Sequence, residues 1–262
     1  MQAAFDTVAQ QYDHSALEFF NAIANEVIHA IPFESTSKML DVATGTGKVA
    51  LLAASQAPEI KVTGTDLSSG MLEQARQKAE AMNLTNVEFL QMDMENLDFP
   101  DNYFDVATCS AALHLLDDML KGLQHITSKV KSGGKIIISA FDDDFFEPMD
   151  SMFFARYEAY GYQLSHFDLL KLVNDEQIET LFSQAGLKDV RIHRSVYQSP
   201  LVSFENWWHI LWNTSYRDTF TSMLEQNKIK FKQEHAAEIQ NLINNKDLSV
   251  KVSFAVASAI VP

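Results

Sequence analysis

Between Lys38 and Phe141 the chain alternates short apolar runs with segments of helical period, and this alternation constrains the fold more than any other feature. Met39-Leu40-Asp41-Val42-Ala43 reads as a first strand, followed by a helix from about Gly47 to Ala57 that stops at Pro58. Lys61 to Asp66 is a second strand. Ser68 or Ser69 caps the next helix, which runs to about Met82 with Asn83 near its stop. Val87 to Gln91 is a third strand and Phe104 to Ser110 a fourth. A helix from about Asp117 to Lys131 follows, closed by Gly133-Gly134. Lys135 to Phe141 is a fifth strand, continuous and β-branched like a buried parallel strand. Such a pattern predicts a parallel sheet with helices on both faces. Right-handed crossovers then line up the strand carboxyl ends along one edge, where ligands bind at the switch in strand order.

The flanks read differently. Residues 1–37 are helical, with Leu17, Phe20, Ala24, Val27, Ile28 and Ile31 near helical period and Pro32 as a breaker. After Phe141 the texture turns aromatic and acidic: Phe145, Phe146, Phe153, Phe154, Tyr157, Tyr160, Tyr162 and Phe167 accompany Asp142, Asp143 and Asp144. A helix resumes over 175–185 and a strand from Leu187 to Tyr197. Residues 203–245 are mostly helical and carry Trp207, Trp208 and Trp212. Val250 to Val256 alternates as a last strand. The sixth and seventh strands are expected to pair antiparallel at a sheet edge. One domain is expected over 1–262. It divides into an N-terminal helical lid (1–37), a ligand-binding core (38–141), a mainly helical cap from insertions (142–174 and 198–247), and closing strands (187–197 and 248–261).

Composition narrows the function. The chain has 262 residues and a net charge of −15, so on average it repels phosphates and is not expected to bind nucleic acid. No apolar stretch is long enough to span a bilayer, and the N-terminus lacks a basic start and apolar signal core. A cytoplasmic protein without integral membrane association is expected. Cys109 is the only cysteine, which excludes an intrachain disulfide, and it lies in the fourth strand as a buried thiol. No histidine pairs with carboxylates at metal-ligand spacing, so no metal is expected.

The candidate site begins at the turn after the first strand. Gly45 and Gly47 permit close approach of a ligand to the backbone. Asp66 ends the second strand, where an acid can accept both ribose hydroxyls of an adenosine. Those residues fit NAD as well as S-adenosylmethionine (SAM), since Gly45 to Ala50 also matches the dinucleotide pattern. Three features favour SAM. Asp41 lies within the first strand, near a ligand ammonium, and would repel a pyrophosphate. Asp93 and Met94 end the third strand, placed for an adenine amino group and ring. An antiparallel pair closes the sheet, unlike the second half of an NAD domain.

Together Met39 to Gly47, Thr65 to Leu72 and Gln91 to Pro100 resemble the class I SAM-dependent methyltransferases, in particular the ubiquinone/menaquinone-biosynthesis-type branch. The stretch from Leu97 to Asp105 and the segment from Phe5 to Asp13 also look like that branch. The resemblance covers residues 5–141. It implies an α/β, Rossmann-like, seven-stranded and mostly parallel sheet with an antiparallel last strand. It also implies SAM as cofactor and S-adenosyl-L-homocysteine (SAH) as product. The Gly45 region with Ala43 would hold the methionine part and Asp66 the ribose. Leu67 and Met71 would lie against adenosine, Asp93 and Met94 would frame adenine, and Ser110 and Ala111 would face the reacting centre. A helix starting near Tyr12 would help close the site.

His114, four residues past Ser110, is the candidate general base or substrate anchor; its alternative is a histidine bonded to backbone at a helix start. His166 and His209 are weaker candidates in the cap. No Asn-Pro-Pro-Tyr follows the fourth strand, which disfavours methylation of base amines. The paired-glutamate loop of arginine methyltransferases and the metal-binding acids of catechol methyltransferases are not evident. The aromatic cap segments suit a small hydrophobic or aromatic acceptor. A SAM-binding module without turnover, or an NAD-dependent oxidoreductase, is the alternative.

Overall fold

In a computed structural model of the chain, the described residues are 2–142, 144–163, 174–214, 216–245 and 248–262. The elements run α1 (Gln2–Val8), α2 (Phe19–His29), β1 (Lys38–Val42), α3 (Lys48–Gln56), β2 (Lys61–Asp66), α4 (Ser69–Ala81), β3 (Val87–Gln91), β4 (Phe104–Ser110), α5 (Met119–Ser128) and β5 (Val130–Phe141). They continue as α6 (Met149–Ala159), α7 (Asp175–Gln184), β6 (Lys188–Pro200), α8 (Phe204–Asn213), α9 (Tyr216–Thr221), α10 (Glu225–Asn245) and β7 (Ser249–Ile260).

The seven strands form one sheet in the order β3-β2-β1-β4-β5-β7-β6. Strands β1 to β5 pair in parallel, and β7 runs antiparallel to both β5 and β6. The order reverses between β1 and β4, so their carboxyl ends open the crevice expected of a doubly wound sheet. Successive side chains point to opposite faces: Met39 packs with α2 and α3, while Leu40 packs with α5 and α7. Side-chain caps set helix starts. Ser68 accepts from Met71 N–H at 3.1 Å, opening α4, and Asp118 accepts from Lys121 N–H at 2.9 Å, opening α5.

Three expectations need correction. No helix starts at Tyr12: it ends a short 3₁₀ turn (Ala9–Gln11), and α2 begins only at Phe19. His14 is the reason, because its Nδ1 accepts from Ala16 N–H at 3.1 Å and starts a separate turn. The helix expected from Asp117 to Lys131 ends at Ser128, and β5 begins at Val130, with Gly133-Gly134 inside it. There the pairing with β4 skips from Phe104↔Val130 to Val106↔Lys135. A Cβ on Gly134 would lie 2.6 Å from the Asp105 carbonyl oxygen, so this crossing admits only glycine. The last two strands also run longer than expected, to Pro200 and Ile260. His166 and Phe167 lie outside the described residues.

Beyond the sheet, α6 and α8 to α10 pack around Phe146, Phe153, Trp207, Tyr216 and Phe231, all buried. Trp207 Nε1–H donates to His235 Nε2 at 2.8 Å, and burial holds that imidazole down to about 4. Most cap aromatics are thus core, whereas Trp212 is exposed.

Candidate active site

At the carboxyl ends of β1, β2 and β4 lies a cavity of about 340 Å³. Its walls include Tyr12, Asp41, Ala43, Gly45, Asp66, Leu67, Met71, Asp93, Met94, Ser110 and Ala111. Eleven of the twelve candidate ligand-binding residues therefore share one space. Gly47 is the exception. It begins α3 at φ +85°, and an added Cβ would lie 3.0 Å from Ala75 Cβ, so it serves helix packing. Gly45 also has positive φ, +56°, but nothing lies within 4 Å of a Cβ built on it; it faces the open space.

Asp66 secures the turn. Its carboxylate accepts from Gly45 N–H and Ser68 N–H, each at 2.8 Å. Burial raises its pKa from the ordinary aspartate value, against the pull of those backbone bonds. Asp41 is fully buried and accepts from the hydroxyls of Thr44 at 2.5 Å and Thr108 at 2.6 Å. Burial pushes it up to about 6, so it stays mostly ionised at neutral pH. Ala43 (φ +53°) and Ala111 (φ +51°) both hold left-handed backbone at strand ends facing the cavity. The second is fixed by Ser139, whose Oγ accepts from Ala111 N–H at 2.9 Å and pairs with Ser110 Oγ at 2.9 Å. Asp93 is exposed at the rim and accepts from Glu95 N–H at 3.0 Å.

The N-terminal segment covers this space. Gln2, Phe5 and Tyr12 line it, and two acids pin the segment down. Asp6 accepts from Ser68 Oγ at 2.6 Å and Gly70 N–H at 3.0 Å at the start of α4. Asp13 accepts from Lys48 at 2.6 Å, Lys78 at 2.8 Å and Thr46 Oγ1 at 2.9 Å. Hydrogen bonds to Ser68 and Gly70 hold the Asp6 pKa below its usual value; the bonds to both lysines outweigh burial and do the same for Asp13. Both acids lie in the Phe5–Asp13 segment of the resemblance, but their roles escaped the sequence because their partners come from residues far along the chain.

His114 does not line the donor-side cavity. It stands on a 3₁₀ turn (Leu113–Leu115) beside a smaller pocket of about 60 Å³. Aromatic rings dominate that pocket, among them Phe19, Phe141, Phe145 and Tyr216, and among the described residues no Asp, Glu, Lys or Arg lines it. The His114 ring lies 6.0 Å from Phe141, edge to face. Phe5, Tyr12, Phe20, Ala111 and Leu115 belong to both spaces, so the two meet at a shared wall. His209 is elsewhere, stacked on His14 at 3.8 Å between α8 and the N-terminal segment. Among the described residues no cluster of His, Cys, Asp and Glu is placed to hold a metal ion.

A family profile described as "Methyltransferase domain" matches residues 39–134, the stretch that builds the crevice. The ubiquinone/menaquinone biosynthesis C-methyltransferase of Citrifermentans bemidjiense is 28% identical over 211 residues, covering 73% of this chain and 89% of the relative. Residues 39–134 are therefore similar to a methyltransferase domain. A demethylmenaquinone methyltransferase of Bacteroides fragilis is 30% identical over 158 residues, 58% of this chain and 64% of the relative. In fold, the chain superposes on the YcgJ protein of Bacillus subtilis with a TM-score of 0.60 at 19% identity, covering 91% and 97% of the two chains.

Proposed function

We propose that SAM occupies the larger cavity and that a small hydrophobic or aromatic acceptor enters the aromatic pocket beside it. The observation that carries this reading is the shared wall of Phe5, Tyr12, Phe20, Ala111 and Leu115, across which a methyl group would pass. The cavity fits the donor chemically. Asp66 offers carboxylate oxygens to a ribose diol, and buried Asp41 sets negative charge near an ammonium. Leu67, Met71 and Met94 give apolar surface to a purine, with Asp93 at its amino edge. Residues 1–37 act as the lid, and the segments 142–174 and 198–247 as the acceptor cap.

Bound SAM supplies an electrophilic methyl group for in-line displacement. The protein's part is alignment and exclusion of water, and orientation alone supplies up to about 7–11 kcal/mol. Tyr12 stacks on Phe20 at 5.2 Å and so fixes the lid side of the shared wall. His114 is the polar group best placed to anchor the acceptor or take its proton. The quinone-biosynthesis names of the relatives agree with a flat, lipophilic acceptor.

The test is incubation of the protein with methyl-labelled SAM and a fractionated cell extract. Label in a solvent-extractable small molecule is expected. Label confined to RNA or protein would remove the acceptor reading, and methyl loss no faster than in buffer would favour a SAM-binding module without turnover.

A further inference from the structure

A cavity of about 740 Å³ opens at the end of the sheet opposite the crevice. Two irregularities in the ladder border it: β5 skips against β4 around Gly133-Gly134, and β6 skips against β7 between Lys188 and Arg191. The charged residues of its wall are Asp105, Lys131, Lys135, Asp189 and Arg191. Asp105 is fully engaged. Its Oδ1 accepts from Lys131 at 2.6 Å, and its Oδ2 from the backbone N–H groups of Ser37 at 2.9 Å and Lys38 at 2.8 Å. Lys135 Nζ donates to the Ala30 carbonyl oxygen at 2.9 Å, at the end of α2, which uses one of its three donors. Arg191 is exposed and has no hydrogen bond or ion pair among the described residues. Asp189 is exposed too, and no ion pair among the described residues joins it to either cation.

Strand register sets Lys135, Ser258 and Arg191 on one face of the sheet. Ser258 on β7 stands opposite Arg191 on β6 and opposite Ile137 on β5, and Lys135 lies two residues before Ile137. Ser258 is therefore flanked by the two cations. It is 6% exposed, it lines the cavity, and its hydroxyl has no partner among the described residues. β5 and β6 are two strand spacings apart, about 10 Å, so an ion seated over Ser258 is within reach of both long side chains.

We propose that this cavity binds a phosphate group, held by Lys135 and Arg191 with the Ser258 hydroxyl beneath it. The guanidinium is a planar fork that matches phosphate oxygens, and the ammonium adds a point charge. A carboxylate has two oxygens for donors that converge from three strands, whereas a phosphate presents three or four. Burial and the Arg191 charge both hold the Lys135 pKa below its ordinary value, and a bound dianion would offset both. The lining charges sum to +1 on a chain of −15, with Asp105 already spent on Lys131. The cavity has room beyond the ion for an ester substituent. The proposal does not depend on what the crevice binds.

The experiment is calorimetric titration of the full chain with inorganic phosphate and, separately, with glycerol 3-phosphate, at constant ionic strength in sodium chloride. One saturable site is expected. Tighter binding of glycerol 3-phosphate would assign the site to a phosphate monoester, and equal affinity to the free ion. Arg191→Ala and Lys135→Gln should each weaken binding at least tenfold, and Ser258→Ala less. Arg191→Ala, at an exposed position, should keep the parent Tm and circular dichroism, so its loss of binding is not a loss of fold. No saturable heat, or an affinity that Arg191→Ala leaves at the parent value, would overturn the proposal. So would phosphate that SAH displaces, which would move the ion to the crevice.

Discussion

Replacing Asp13 by alanine removes the contact that ties the lid to both α3 and α4. The lost interactions are two ion pairs, to Lys48 and Lys78, and a hydrogen bond from Thr46. The Asp13 and Lys78 side chains are each 34% exposed and Lys48 16%, so solvent screens the pairs. At that exposure each contributes about 0.2–1 kcal/mol, and the hydroxyl bond to a charged oxygen about 1 kcal/mol or more. Lys48 keeps Asn21 Oδ1 at 2.7 Å, so no lysine is stranded in a dry site. The total, about 2 kcal/mol, raises the ratio of open to closed lid roughly 30-fold. Hydrogen exchange resolved by peptide is the assay. Amides in 2–17 should lose protection by up to that factor while those of β1 and β4 keep theirs, because the lid opens locally. SAH affinity should fall by no more than the same factor. Asp13→Asn, which retains an acceptor for Thr46, should give an intermediate loss. Unchanged protection in 2–17 would refute the assignment of Asp13 as the lid's anchor.

Other outcomes follow from the site. Asp66→Ala should weaken SAH more than tenfold by calorimetry, since charge-assisted bonds of about 1.5–3 kcal/mol are lost; unchanged affinity would take Asp66 out of the ligand's reach. His114→Ala should slow transfer of labelled methyl to the acceptor fraction with near-parent SAH affinity, and equal turnover would leave it a structural residue. Affinity for SAH should fall as pH drops from 7.5 to 5, because Asp41, raised to about 6, becomes neutral and no longer attracts an ammonium. Asp6 and Asp13 titrate in a lower window: their pKa values are depressed, so the lid's stabilisation is complete above the ordinary carboxylate value of 3.8 and is lost only as pH falls through the lower folded values. Exchange of 2–17 measured against pH should separate the two windows. Cys109, buried and pushed up to about 12, should resist alkylation at pH 8 until the protein unfolds.

The core was legible because its periodicities are local. β2, β3 and β4 match their sequence boundaries, each an apolar run between breakers, and the crevice follows from their order. What escaped depends on contacts distant in sequence. Gly134 reads as a helix stop, yet it stands where β5 crosses the Asp105 backbone. Gly47 reads as a ligand glycine, yet it stands off the cavity wall, held to glycine by its left-handed φ of +85° with Ala75 and Leu51 close by. Asp6 and Asp13 look like solvated acids until α3 and α4 are folded beneath them. Ser139, which sets Ala111, lies on β5 with nothing beside it in sequence to mark it. The aromatic run after Phe141 gave composition without direction, and only packing separates Trp207 in the core from Trp212 on the surface.

The central claim is that the crevice between β1 and β4 holds SAM rather than a dinucleotide. Calorimetric titration of the protein with SAH and, separately, with NADH tests it directly. Saturable one-to-one binding of SAH, with none of NADH, is the result this account predicts; tight NADH binding with no heat from SAH would contradict it.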